Sequence, residues 1–263
     1  MINAKTRLAS MSNQTVKNCT SKTVKFKSGG NYSIYGKVFL PPQSTSKGLI
    51  LFHGGKAGSS KRFELLQPAL AIAGIGNLAI NFRGRGESSG VYKKSTLNDR
   101  LTDSRAAIRF FKKHADLNEI GIIGISLGAD AVRLLREDLE IKIIILVGPV
   151  AVSEKFVNVS PPHRANIISS KDSSWRTSPI LSLLSNFKNP KLIIYGEKED
   201  VASPEMIKAF KKSASNSGKF ITLTNAKHNP FIVDDTVQEE QKQQEATREK
   251  MIKLIVTFVK NNL

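Results

Sequence analysis

An α/β architecture, with a mostly parallel sheet covered by helices on both faces, is predicted by three observations in the 263-residue chain. Apolar runs of strand length alternate with stretches of helical periodicity; the innermost runs are apolar throughout rather than at every second residue; and the alternation recurs along nearly the whole chain after Val24. A strand apolar at every position suits burial on both faces, and parallel strands need helical crossovers between them.

The elements follow in order. Val24 and Phe26 alternate with polar residues, Gly29-Gly30-Asn31 marks a turn, and Ser33 to Leu40 runs until Pro41-Pro42, which together read as an opening antiparallel hairpin. Gly48 to Phe52 is a buried strand, followed by a helical stretch from Lys61 to about Ala73. The pair repeats as a strand from Asn77 to Phe82, a Gly/Arg-rich loop, and a helix with an apolar stripe of Leu97, Leu101, Ile108 and Phe111. A strand from Glu119 to Ile125 leads into a helix through Leu134 and Leu135, and Ile141 to Val147 is the most hydrophobic strand. The last two rounds are strand Lys191 to Tyr195 with helix Pro204 to Ala214, then strand Phe220 to Thr224 with a terminal helix carrying Met251, Leu254, Ile255 and Phe258. Between Val150 and Pro190 the alternation breaks down into a Ser-, Asn- and Pro-rich stretch that holds the sole tryptophan, Trp175. A long irregular insertion in a compact domain is usually functional. The expected organisation is a flexible segment over 1–22 and one domain over 23–263, with a short cap at about 151–190.

Composition narrows the function classes. A hydrophobic content of 40% fits a globular protein. No apolar run reaches the roughly 20 residues of a membrane-spanning helix, and the opening lacks the apolar core of a secretory signal, so a cytoplasmic enzyme is the default. The acid-free, Ser/Thr/Lys-rich opening leaves an organelle transit peptide as the alternative. Cys19 is alone, so no internal disulfide forms, and no Cys/His spacing suggests zinc; a metal-independent mechanism is expected. The net charge of +18 favours anionic partners, yet the lysines are scattered and no nucleic-acid-binding motif accompanies them. An acyl substrate, small or peptidic and in some form anionic, is the expected partner.

The chemistry-bearing residues sit at strand ends. Gly124-Ile125-Ser126-Leu127-Gly128 joins a strand directly to a helical pattern, the context in which Gly-x-Ser-x-Gly describes a tight turn holding a serine out beyond the sheet. A serine hydroxyl needs a base to become a nucleophile. Of four histidines, His228 follows the strand Phe220 to Thr224 and shares the sheet's carboxyl edge with Ser126. His53 precedes a glycine pair and suits a structural role, His114 closes a helix, and His163 falls in the cap. The acid that orients the histidine is sought in Gly196 to Pro204, where Asp200, Glu197 and Glu199 compete. For the oxyanion, the amide of Leu127 is one donor; Gly55, with Lys56 as runner-up, is the other, from the loop His53-Gly54-Gly55-Lys56.

The His53-Gly54-Gly55 turn, the loop Asn81 to Ser88, the Ser126 turn, and Gly196 to Pro204 followed by His228 together resemble the α/β-hydrolase family, in its dienelactone-hydrolase-like, peptidase-like and esterase-like branch. The resemblance implies an α/β-hydrolase fold, Asp200 as catalytic acid with Ser126 and His228, Leu127 and Gly55 as oxyanion donors, and a cofactor-free acyl-enzyme route on esters, thioesters or amides. Ala129-Asp130 departs from it, since relatives often carry a second glycine there. A non-catalytic binding protein for an anionic partner, and an acyltransferase, are the competing functions.

Overall fold

The computed structural model describes residues 18–55, 59–137, 139–160, 173–228, 230–231 and 238–263. Among them, eight strands form one sheet in the order β1-β2-β4-β3-β5-β6-β7-β8. They are β1 (Thr20–Lys27), β2 (Ser33–Leu40), β3 (Lys47–Phe52), β4 (Gly76–Asn81), β5 (Glu119–Ile125), β6 (Ile141–Val147), β7 (Lys191–Lys198) and β8 (Gly218–Lys227). β1 pairs antiparallel with β2 and β2 antiparallel with β4; all other pairs are parallel.

The sequence pattern explains the order. β1 alternates exposed Thr23, Lys25 and Lys27 with buried Val24 and Phe26, so this stretch has one dry face and a polar, charged one, which suits a sheet edge. β3, β4 and β6 are buried at nearly every position, as strands covered on both faces must be. The side chains of β3, β4, β5 and β6 divide between two apolar clusters: Ile50, Leu78, Ile122 and Ile144 on one face, Leu49, Ala79, Ile123 and Ile145 on the other.

Among the described residues, five α-helices cover the faces: α1 (Leu66–Ile72), α2 (Leu97–His114), α3 (Pro179–Asn186), α4 (Pro204–Ser213) and α5 (Gln238–Asn262). α2 begins with a capping box between Thr96 and Asp99, which satisfies amides that the first turn leaves open. Its buried face carries Leu97, Ala107, Ile108 and Phe111, but also Arg100 and Asp103, while Leu101 is only partly covered. Asp103 is fully buried because it is saturated: Arg83 reaches it at 2.7 Å through Nη2 and Ser28 Oγ donates to it at 2.6 Å. Arg83 also meets Asp99 at 2.6 Å, so the loop after β4 is bound to α2 at two carboxylates.

The expected helix from Lys61 to Ala73 is a 3-10 turn (Ser60–Phe63) followed by α1, and β7 and β8 both run further than expected, to Lys198 and Lys227. After β5, residues Ser126–Arg136 form a 3-10 segment. Asp130, the departure noted in the sequence, is buried against Arg133 Nε at 2.7 Å. Arg133 also donates to Glu154 and, at 2.6 Å, to the carbonyl of Val152.

Residues 161–172 of the expected cap lie outside the described residues, as do residues 1–17 of the expected N-terminal segment. The rest of the insertion contains α3, capped by Ser178 with Pro179 in its first turn, and it buries Ile180 and Leu184 in the same cluster as Trp175. Among the described residues, no helix is long and apolar enough to cross a membrane.

Candidate active site

The turn at the end of β5 is the anchor of the site. Ser126 has φ +52°, the left-handed region that costs a side-chain-bearing residue energy and persists only where the surroundings enforce it. The surroundings are tight: a Cβ at residue 128 would lie 2.1 Å from the carbonyl oxygen of Phe52, so only glycine lets the turn pack onto β3. The loop after β3 lies against the serine itself, since a Cβ at Gly54 would stand 2.7 Å from Ser126 Cβ and 3.2 Å from the amide nitrogen of Leu127.

His228 follows β8 and reaches this turn. Its Nε2 is 2.9 Å from Ser126 Oγ, and its Nδ1 is 2.6 Å from Glu199 Oε1. A carboxylate accepts, so Nδ1 carries the proton and Nε2 presents its lone pair to the serine hydroxyl. The side chain of His228 is 15% exposed and that of Glu199 is 2% exposed, so the chain of hydrogen bonds runs from interior to surface. Gly148, at the end of β6, backs the imidazole: a Cβ there would lie 3.1 Å from His228 Nδ1.

Asp200, expected as the acid, is exposed, and the carboxylate against His228 belongs to Glu199. The reason is register. β7 continues three residues past Tyr195, with an irregularity after Gly196 that pairs Lys198 with Lys227. Glu199 is therefore the first residue beyond the strand, beside His228, and Asp200 is carried past it. Glu199 Oε1 also accepts from the amides of Val201 and Ala202, each at 2.9 Å. Burial pushes the Glu199 carboxyl up, but the His228 hydrogen bond, its charge and these two amides outweigh burial and hold the group below the ordinary carboxylate value. Glu197 instead accepts from the amide of Asn225 at 2.9 Å.

Tyr195 was not singled out in the sequence, yet it supports the same corner. Its hydroxyl donates to the carbonyl of Pro149 at 2.5 Å, and burial, then the negative charge of Glu199, push the phenol well above its ordinary value, so it stays a neutral donor.

His53 is buried, and its Nδ1 donates to the carbonyl of Gly54 at 2.8 Å. Burial, then the charge of Arg100, lowers its pKa to about 3, so the imidazole is neutral; Arg85 and Arg62 act in the same direction. It shapes the loop from which Gly55 comes. Among the described residues, nothing lies within 4 Å of where a Gly55 side chain would begin, while Lys56, the runner-up donor, lies outside the described residues. His114 stacks on Phe110 at the end of α2, and His163 lies outside the described residues. Among the described residues, no group of three or more His, Cys, Asp and Glu side chains is arranged to hold a metal ion.

Comparison with known proteins decides the fold. An esterase of Pyrococcus furiosus superposes with a TM-score of 0.66 at 21% identity, over 99% of this chain and 96% of that one. The chain has the α/β-hydrolase fold. A predicted CIB-like hydrolase of Thermoplasma acidophilum (TM-score 0.64, 16% identity, 92% of this chain and 99% of that one) shares this fold. So does Est1E of Butyrivibrio proteoclasticus, solved with ferulic acid bound (0.62, 20%, 88% and 99%). Residues 44–171 match the family described as serine aminopeptidase, S33. No curated protein matches the sequence. The family match over this segment supports a hydrolase, and the solved structures show the fold.

Proposed function

We propose that the protein is a serine hydrolase that cleaves an ester, thioester or amide through an acyl-enzyme on Ser126. One observation carries the reading: the unbroken hydrogen-bonded line from Glu199 through His228 to Ser126, at 2.6 and 2.9 Å.

In the first half-reaction the Ser126 hydroxyl proton passes to His228 Nε2 as Oγ bonds the substrate carbonyl carbon. Glu199 accepts from Nδ1 and stabilises the imidazolium. The amide of Leu127, with that of Gly55, receives the negative charge on the carbonyl oxygen. The tetrahedral adduct then breaks its bond to the leaving group, which takes the proton from Nε2. In the second half-reaction water gives a proton to the same Nε2 and attacks the acyl carbon; the bond to Ser126 Oγ then breaks, Oγ takes the proton back from Nε2, and the acid leaves. The residues at about 151–190 act as a cap over the carboxyl edge.

The test is labelling by a fluorophosphonate together with hydrolysis of p-nitrophenyl butyrate. Wild type labels and turns over while Ser126→Ala does neither. A folded wild type that resists the probe, or a Ser126→Ala variant that labels equally, overturns the proposal and returns the chain to a binding role.

A further inference from the structure

Three arginines stand around the end of β4 and the loop after β3, and their hydrogen bonding separates them. Arg83 is saturated by Asp99 and Asp103. Arg100, buried under Phe82 at 3.7 Å from the ring centroid, donates to the carbonyl of His53 at 2.5 Å. Arg85 differs from both. Its guanidinium carbon sits 3.3 Å over the centroid of the Tyr92 ring, and its Nε and Nη2, both buried, find no hydrogen-bond partner among the described residues. Donors left this way are costly, and they mark a position built for a partner that arrives.

The position is fixed by the backbone. The amide of Arg85 donates to the carbonyl of Phe82 at 3.0 Å, and its own carbonyl accepts from the amide of Ser88 at 2.9 Å, so it is the shared corner of two successive turns. It also lies on the proposed catalytic side. β4 neighbours β3, β3 neighbours β5, and all three run parallel, so the loops that follow them share one edge. Arg85 is close enough for its charge to disfavour protonation of His53, and Gly54, the next residue, packs on Ser126. Among the described residues, the charges acting on His53 are the guanidinium groups of Arg100, Arg85 and Arg62. Nε and Nη2 form one edge of the planar fork, the edge that meets the two oxygens of a carboxylate side by side.

We infer that Arg85 is a specificity residue, binding a free carboxylate that the substrate carries in addition to its scissile acyl group. The inference rests on the serine-hydrolase reading for the reaction, though not for the binding. It gives the net charge of +18 a local use: the preferred substrates are half-esters of dicarboxylic acids rather than neutral esters.

The experiment compares mono-p-nitrophenyl glutarate with neutral p-nitrophenyl valerate in wild type, Arg85→Gln and Arg85→Lys, with circular dichroism to verify folding. The ratio of kcat/KM, anionic over neutral, falls by about 10- to 100-fold in Arg85→Gln, chiefly through KM, and Arg85→Lys recovers part of it. A ratio unchanged in both variants overturns the inference. A second arm needs no turnover: glutarate raises the melting temperature of wild type and not of Arg85→Gln. Protection without hydrolysis of either ester leaves the anion site standing and sinks the hydrolase reading. Hydrolysis with neither a changed ratio nor protection does the reverse, and a chain that neither hydrolyses nor is protected overturns both.

Discussion

The ends of β5 and β7 both bear on the candidate site, and they are specified in different ways. At β5 the chain turns within five residues, and the turn is dictated by contact: Gly128 has no room for a side chain against Phe52, and Ser126 is held at φ +52°. At β7 nothing so local acts. Whether Glu199 or Asp200 faces His228 depends on where the strand stops and on the irregular pairing with β8 after Gly196. A position fixed by steric exclusion can be read from residue types; one fixed by register depends on a partner strand about thirty residues away in the chain.

Substitutions can break this comparison at either end. The largest effect is expected at β5: Ser126→Ala lowers kcat on p-nitrophenyl butyrate by roughly 10,000-fold or more with the melting temperature nearly unchanged. Next comes the pair that decides the β7 end. Glu199→Gln lowers kcat by about 1,000-fold or more, because the imidazolium loses its counter-charge, whereas Asp200→Asn changes kcat by less than about threefold. Equal losses in the two variants would return the acid to Asp200. Smaller again is Gly148→Ala, whose Cβ would lie 2.5 Å from the carbonyl oxygen of His228 and 3.1 Å from its Nδ1, so that residue must shift; kcat falls by about 10- to 100-fold, and KM moves little.

The smallest effect is on stability and sharpens the contrast through pH. His53 is neutral and buried when folded, with a pKa of about 3 against 6.5 in the ordinary state. The unfolded chain therefore binds the proton first. Stability from this group is full above about pH 6.5 and declines as pH falls from there toward 3, by about 1.4 kcal/mol per unit at most. Glu199, held below its ordinary value, adds a loss that begins only lower, as pH falls below about 4.5. Melting curves from pH 7 to 4 should flatten in His53→Asn over the upper part of that range, and remain steep there in Glu199→Gln.

The same distinction explains what was legible. The central strands were readable because two-sided burial leaves an unbroken apolar run, as in Ile141 to Val147, while the hairpin strand β1 showed as an alternation around Val24 and Phe26. Ser126 and His228 were placed at one edge by topology, and the structure brings them within 2.9 Å. Glu199 was hidden because the β7 extension past Tyr195 reads Gly-Glu-Lys, a loop-like triplet that pairing with β8 turns into strand. α3 was missed because eight residues hold barely two turns, too few for periodicity to emerge, although the Ser178-Pro179 start was visible. Tyr195 passed for an ordinary core aromatic, since nothing in its neighbours announces a hydroxyl bound to the carbonyl of Pro149. Arg85 was seen within its loop, but a sequence does not tell a saturated guanidinium from an unsatisfied one.

Arg133 has a mechanical consequence. One planar group grips Asp130, four residues along from the serine, while its other nitrogens hold Glu154 and the carbonyl of Val152. The first stretch of the insertion is thereby bolted to the floor beneath the nucleophile. Residues 152–154 and the turn that carries the serine therefore share one anchor, and a change at Arg133 would loosen both together.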